Sequence, residues 1–363
     1  MRLVVTGGGT GGHVYPALEV ARHAREQGDE LLYLGSLRGQ EGAAAAAADV
    51  PFQGFAAAPL YSLKTPRGWK SAVMLLRAVG TARSLLRIAK PDVVFSTGGY
   101  SAAPVISAAR KLGIPYVLFE ANSIPGRTHR MFARDAAAFA SVFRKTESVL
   151  PDVAVTRTGM PVRKALRDAA QAADEGAFSD YKNVGRSWPT RYSVVVLGGS
   201  QGSAFLNEVV PLAATGSKGT FLHATGPSNY ASIDKHALPD GYRMLGYLEQ
   251  DELIRGLRYA KLAVARSGGT LAELACFRLP SVLVPLPTSA DDHQLWNARE
   301  FEAMGAATVL EQGQATSETM RNSIREWLEA DVSAAQNALA QWDCPNATEE
   351  IYGLISRAAN PSS

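Results

Sequence analysis

His13 directly follows the glycine run Gly7-Gly8-Gly9-Thr10-Gly11-Gly12. The dipole of a helix disfavours the charged imidazole in its first turn, so such a histidine is placed to accept a proton; a surface histidine at a helix start would read the same way. The glycines let the backbone approach a ligand, and N–H groups at a helix start favour an anion, although a tight turn required by packing would use the same residues. No Lys-Ser/Thr follows as in a P-loop, and the dinucleotide fingerprint is met only loosely. A second constellation is Arg266-Ser267-Gly268-Gly269-Thr270-Leu271-Ala272-Glu273. Here Arg266 ends a strand, Ser267 and the glycines form an anion cradle, and Glu273 lies within two turns of the next helix start. A carboxylate there accepts both hydroxyls of a ribose while the loop holds a phosphate; as a lone acid it would serve the helix dipole instead. Asp291-Asp292-His293-Gln294 with Asn297 follows the apolar run 280–287, suiting sugar hydroxyls or a solvated helix start capped by Asp. Glu120 and Asn122 precede Ser123-Ile124-Pro125-Gly126, where carboxylate and amide suit positioning, proton transfer or loop capping. With no Asp-x-Asp and no His-x-x-x-His, neither a metal site nor a cofactor is expected.

These residues need a scaffold that brings loops together. A strand at Arg2–Thr6, a helix from His13 to about Glu26 and a strand at Leu31–Leu34 open an alternation that continues through Val93–Ser96, Ala103–Leu112 and Tyr116–Phe119. Such alternation predicts a parallel sheet covered on both faces. The stretch 169–191 interrupts it with polar, Gly and Pro residues. The opening then returns: SVVVLGGSQGSAFLNEVV echoes LVVTGGGTGGHVYPALEV, and LAVARSGGTLAEL echoes VVFSTGGYSAAP. Two echoes in the same order predict an α/β chain of two doubly wound domains facing across a cleft, with ligands beyond the carboxyl ends of the strands. The expected divisions are an N-terminal domain 1–158, a linker and insertion 159–191, a C-terminal domain 192–345 and a tail helix 346–363.

Composition narrows the class. Of 363 residues, 46% are hydrophobic and 20% charged, with a net charge of +3, which excludes a disordered chain. Cys276 and Cys344 are too few for a disulfide scaffold or a cysteine-based metal knuckle and suit a reducing cytoplasm. No stretch approaches the roughly 20 apolar residues of a membrane span, and the run after Met1-Arg2 is too short for a signal peptide. Charge is uneven: residues 1–158 hold 19 Lys and Arg against 11 Asp and Glu, and the remainder 18 against 23. The basic half therefore meets something anionic, whether phosphate, membrane or nucleic acid. From Trp69 to Lys90 there is no acid. Met74, Leu75, Val79, Ala82, Leu85, Leu86 and Ala89 make one helical stripe for a core. Trp69, Val73 and Leu76 lie among Lys70, Arg77, Arg83, Arg87 and Lys90 on the other face, as on a membrane-docking patch or a solvated face.

In order and spacing, GGGTGGHVYPAL, STGGYSAAP, FEANSIPG, GMPVR, LGGSQGSAFLN, RSGGTLAE and DDHQLWNA resemble the MurG family of bacterial N-acetylglucosaminyltransferases, which convert lipid I to lipid II. The resemblance runs from residue 1 to about 315 and is weakest across 169–191 and the tail. It implies a GT-B fold with the active site between two Rossmann-like domains. UDP-GlcNAc would lie mainly on the C-terminal domain, on Arg266, Ser267, Gly268, Gly269, Thr270, Leu271 and Glu273. The Leu248 backbone would read the uracil, and Ser200 and Arg163 would contact the nucleotide sugar. His293 and Gln294 would meet the GlcNAc hydroxyls, with Asn297 in the same block. Thr10, Gly11, Gly12, the Gly98–Tyr100 loop with Tyr100, and Asn122 would serve the acceptor and the sugar end of the donor. His13 matches the general base, with Glu120 as the other candidate. Direct displacement would invert the α-linked donor, and no metal is needed if loop N–H groups and arginine hold the leaving UDP.

The implied partners are lipid I and an anionic membrane surface, with no nucleic acid, at the cytoplasmic face of the inner membrane as a peripheral protein. A cell-wall synthesis complex is a further partner that the resemblance allows. The chain departs from the family pattern at Phe119 and Ala121, where His and Gln are usual, at His129 in place of Asn, and at Met160. These departures keep another lipid or glycan acceptor open. A UDP-GlcNAc 2-epimerase-like isomerase would need acid/base carboxylates at the sugar ring and no basic apolar patch, and a non-catalytic nucleotide-sugar binder is disfavoured by His13 and the donor constellation.

Overall fold

The computed structural model describes residues 1–58, 64–174, 192–233 and 238–360. Its chain forms two parallel sheets. The first runs in the order β3-β2-β1-β4-β5-β6-β7, built from β1 (Arg2–Thr6), β2 (Glu30–Ser36), β3 (Phe52–Phe55), β4 (Val93–Ser96), β5 (Tyr116–Glu120), β6 (Ala138–Ser141) and β7 (Val155–Arg157). The second runs β10-β9-β8-β11-β12-β13, built from β8 (Val194–Leu197), β9 (Phe221–Ala224), β10 (Tyr242–Leu245), β11 (Leu262–Ala265), β12 (Ser281–Leu283) and β13 (Ala307–Val309). Both are doubly wound, and in each the strand order reverses once: β1 pairs β4 with Leu3 opposite Val93, and β8 pairs β11 with Leu262 opposite Val194. The four glycine loops of the sequence echo follow these four strands, so each sheet has two of them side by side at its switch point.

The strands are short apolar runs because both faces are covered. Val4, Val94, Leu118 and Phe139 pack with Val105, Ile106 and Leu86 in the first sheet's core, and Val194, Val196, Val264 and Val282 pack with Leu206, Val210 and Ile324 in the second's. The helix Pro66–Ala89 starts on Thr65, whose hydroxyl accepts from the Gly68 amide at 3.1 Å, and stops at Lys90 in the left-handed conformation. Ala78, Ala82 and Leu86 of this helix are buried, whereas Trp69, Val73 and Leu76 are exposed.

The chain divides into two compact units, Lys164–Pro345 and a first unit of Met1–Arg163 with the stretch from Asn346. Within the segment expected as a linker, the helix Lys164–Asp174 belongs to the second unit, and residues 175–191 lie outside the described residues. The helix Ala347–Ala359 belongs to the first unit, where Tyr352 donates to Asp29 Oδ2 at 2.8 Å while the N-terminal ammonium holds Asp29 Oδ1 at 2.6 Å. Ile351 of this helix is fully buried. Truncation to Ile351→Ala should lower the unfolding free energy by about 3 kcal/mol in urea titrations; a loss under about 1 kcal/mol would mean that the helix is not part of the first unit's core.

Candidate functional site

In the first unit three loops meet at the switch point. Gly8 donates its amide to the Gly98 carbonyl at 3.1 Å, so the loops after β1 and β4 touch backbone to backbone. Gly99 makes this approach possible: it has φ +85°, and a Cβ there would sit 2.0 Å from the Gly8 carbonyl oxygen. The third loop contributes Glu41, fully buried, whose Oε1 accepts from the Gly9 amide at 3.2 Å and the Ser101 hydroxyl at 3.3 Å. The amides of Gly8 and Gly9 are thus committed inside the protein. The later residues of the loop, Thr10, Gly11 and Gly12, lead into the helix Gly11–Glu26. Tyr100 donates its hydroxyl to the Arg38 carbonyl at 3.1 Å, and Thr128 donates to the Gly99 carbonyl at 3.2 Å.

His13 is half-buried beside this junction, its Nδ1 2.8 Å from the Thr97 carbonyl oxygen. A carbonyl only accepts, so Nδ1 carries the hydrogen, and in the neutral ring Nε2 carries the lone pair. That tautomer is the one a general base at Nε2 requires.

Glu120, the other candidate base, has a different task. Its Oε1 accepts from the Asn122 amide at 3.0 Å and the Asn122 side chain at 3.2 Å; its Oε2 accepts from the Gly126 amide at 2.9 Å and lies 2.8 Å from His129 Nδ1. Burial opposes its ionisation, but the bond and charge of His129 and the Gly126 amide outweigh it and hold the carboxyl below its ordinary range. A buried carboxylate with both oxygens engaged, and with its proton affinity reduced, organises the loop that carries Asn122. Phe119 is wholly buried and tilted against Phe95, so apolar packing occupies the position where the family pattern has a histidine.

The second unit places its residues in two groups. The Ser267 hydroxyl donates to the Gln294 carbonyl at 2.7 Å, the Asn297 amide donates to the Ser267 carbonyl at 3.0 Å, and Gln294 Oε1 accepts from the Leu286 amide at 3.0 Å. These bonds lock the loop after β11 to the helix His293–Ala303. Asp291 and Asp292, both with φ +51°, turn the chain into that helix, and Asp292 makes no side-chain capping bond. His293 Nδ1 lies 2.8 Å from the Ala290 carbonyl, which fixes its tautomer in the same way as His13's. Asn297 is fully buried, and its side-chain amide supports the Ser267 carbonyl.

Arg266, expected among the donor-binding residues, is turned inward. Its guanidinium donates to the carbonyls of Val284 and Pro285 at 2.9 and 3.1 Å, to the Ser203 hydroxyl at 2.9 Å and to Gln312 at 2.7 Å. It braces the loops after β8 and β12. Ser200 is exposed on the second glycine loop, Arg163 and Glu273 are half-buried, Gly268 and Thr270 are partly exposed and Gly269 exposed at the start of the helix Thr270–Cys276, and the Leu248 and Leu271 side chains are buried. Sequence reasoning did not single out Glu41, Thr97, Ser203 or Gln312. Thr97 and Ser203 lie inside the quoted glycine motifs and Glu41 and Gln312 outside them, and each matters only through residues distant in the chain.

Comparison with known proteins places this geometry. The glycosyltransferase family 28 N-terminal domain matches residues 3–141, and the family 28 C-terminal domain matches residues 193–357. The paired folds and their loops are those of a GT-B glycosyltransferase of family 28. The UDP-N-acetylglucosamine--N-acetylmuramyl-(pentapeptide) pyrophosphoryl-undecaprenol N-acetylglucosamine transferase of Carboxydothermus hydrogenoformans is 33% identical over 383 aligned residues, covering 100% of this chain and 99% of that relative. The crystal structure of Acinetobacter baumannii MurG superposes with a TM-score of 0.75 at 25% identity, covering 98% of this chain and 99% of that one. The chain belongs to the MurG family. A UDP-GlcNAc 2-epimerase from Neisseria meningitidis, solved with UDP-GlcNAc, has a TM-score of 0.67 at 12% identity over 98% of this chain and 100% of that one, a likeness of fold alone.

Because the folded-state pKa of Glu120 is depressed, its stabilisation is complete above the ordinary carboxyl range and vanishes as pH falls through the depressed value. Glu120→Gln should therefore cost about 2 kcal/mol near pH 7, with the gap to the unchanged protein closing in acid. A gap in urea titrations that stays constant into acid would assign the effect to shape alone.

Proposed function

We propose that this chain transfers GlcNAc from UDP-GlcNAc to the 4-hydroxyl of the MurNAc in lipid I, giving lipid II for peptidoglycan synthesis. The observation that carries the reading is the end-to-end likeness to transferases of that name, 33% identical over 100% of the chain. The chemistry of the loops supports it. His13, its Nδ1 hydrogen held by Thr97, takes the acceptor hydroxyl proton on Nε2 as the oxygen attacks the anomeric carbon. Attack opposite the departing UDP inverts the α-linked sugar to a β-linked product. Thr10, Gly11, Gly12 and Tyr100 serve the acceptor, with Asn122 fixed by Glu120. Glu273 takes the ribose, Ser200, Arg163 and the start of the helix Thr270–Cys276 the diphosphate, Leu248 the uracil, and His293 and Gln294 the GlcNAc hydroxyls. Arg266 and Asn297 hold these loops in place.

The substrate tail gives the outer face of the helix Pro66–Ala89 a purpose. Trp69 is 65% exposed and Leu76 73%, with Val73 between them and exposed Lys70 and Arg77 alongside, so apolar side chains enter the lipid boundary while cations meet anionic headgroups. No helix among the described residues is long and apolar enough to cross a membrane. The protein works as a peripheral enzyme at the cytoplasmic face of the inner membrane, where its lipid acceptor is presented.

The direct test incubates the protein with labelled UDP-GlcNAc and a lipid I analogue, with and without EDTA. Label should pass to the lipid fraction equally in both arms. Transfer to no lipid I analogue, or release of free ManNAc from the donor, would end the reading. Paired Trp69→Ser and Leu76→Ser changes should lower cosedimentation with anionic vesicles and leave turnover on a short-chain soluble acceptor intact. Equal vesicle binding by the double variant would make this a solvated face.

A further inference from the structure

Thr97 follows β4; its carbonyl fixes the His13 tautomer, whereas its side chain has so far been given no role. It is 1% exposed, and its amide donates to the Thr6 carbonyl at 3.0 Å, which ties it to the end of β1. Two bonds join it to a single residue. Its carbonyl accepts from His13 Nδ1 at 2.8 Å, and its hydroxyl donates to the His13 carbonyl at 2.7 Å. The hydroxyl fits because position 7 is glycine: a Cβ there would sit 1.9 Å from Thr97 Oγ1.

We infer that Thr97 is a positioning residue for His13, clamping its ring through the backbone carbonyl and its main chain through the side-chain hydroxyl. This rests on the reading of His13 as the base. The ring bond alone sets the tautomer but leaves the helix Gly11–Glu26 able to shift against β4, taking the imidazole with it. The hydroxyl bond closes that freedom, because ring and backbone of one residue are then held to one partner across the gap between two loops. A base must reach a hydroxyl at hydrogen-bond distance, and misplacement by about 1 Å costs on the order of a hundredfold in rate. Ser200, Leu248, Glu273 and the loop at Ser267–Gly269 belong to the other unit, so the clamp acts on turnover and not on nucleotide affinity.

The test uses Thr97→Val, which keeps the shape and removes the hydroxyl, and Thr97→Ser, which keeps the hydroxyl. Thr97→Val should lower kcat roughly 10- to 100-fold with the KM for UDP-GlcNAc within about twofold, and Thr97→Ser should recover kcat to within about threefold of the unchanged protein. In a His13→Ala background, Thr97→Val should cost nothing further, as expected of a residue acting through His13. Independently of activity, the His13 Nδ1 proton should give a slowly exchanging NMR resonance whose exchange rate is kept in Thr97→Ser and rises in Thr97→Val, where the ring bond remains but its anchor loosens. Calorimetric binding of UDP and a thermal melt check that each variant is folded. Full kcat in Thr97→Val, or equal losses in the Val and Ser variants, would overturn the inference. Normal turnover in His13→Ala would instead overturn the base assignment on which it rests.

Discussion

Close contact of two backbone loops at the reversal of strand order is the constraint on which the first unit depends. β1 and β4 are adjacent and parallel, so the loops that leave them emerge side by side and must share one small volume. Side chains would keep them apart. Glycine at positions 8 and 99 lets an amide of one loop reach a carbonyl of the other, and a buried carboxylate, Glu41, takes the neighbouring amide. This contact brings Thr97 against the first turn of the helix that carries His13. The histidine is therefore set by a strand pairing that neither loop specifies by itself.

The second unit repeats the topology and resolves the crowding differently. Its loops are braced by a cation. Arg266 sits over the Phe205 ring, its guanidinium 6.0 Å from the ring centre, and spends its donors on two carbonyls, a hydroxyl and an amide oxygen. Burial pushes its pKa down, yet a guanidinium starts so high that it stays charged. The loops around it are held by these bonds and need not supply all of their own support. A carboxylate organises one half of the enzyme and an arginine the other.

Polar residues in these loops separate into those that face a ligand and those that hold other residues. Glu120, Asn297 and Arg266 carry the chemistry of binding or catalysis in their side chains, and each is buried with its groups engaged by the protein. Loops at a sheet edge carry many backbone groups that water cannot reach, and these need partners. The same residue types that recognise substrates meet that need. Type and spacing alone therefore do not distinguish the two uses.

Strand positions were legible in the chain because strands covered on both faces must be continuous apolar runs: Arg2–Thr6 and Val93–Ser96 emerge from the sequence with the bounds they have in the fold. The doubled architecture was legible because the same strand–glycine–helix unit occurs at corresponding places in both halves. The Trp69–Leu76 face was legible too, since a helix puts residues three and four apart on one side. Burial and partnership were not. Whether Glu120 donates, accepts or only supports depends on Gly126 and His129 folding back over it, and the turn of Arg266 toward Ser203 joins residues 63 positions apart. Local order follows from periodicity within a few residues, whereas the protonation and aim of a side chain follow from what long-range packing places within 3 Å of it.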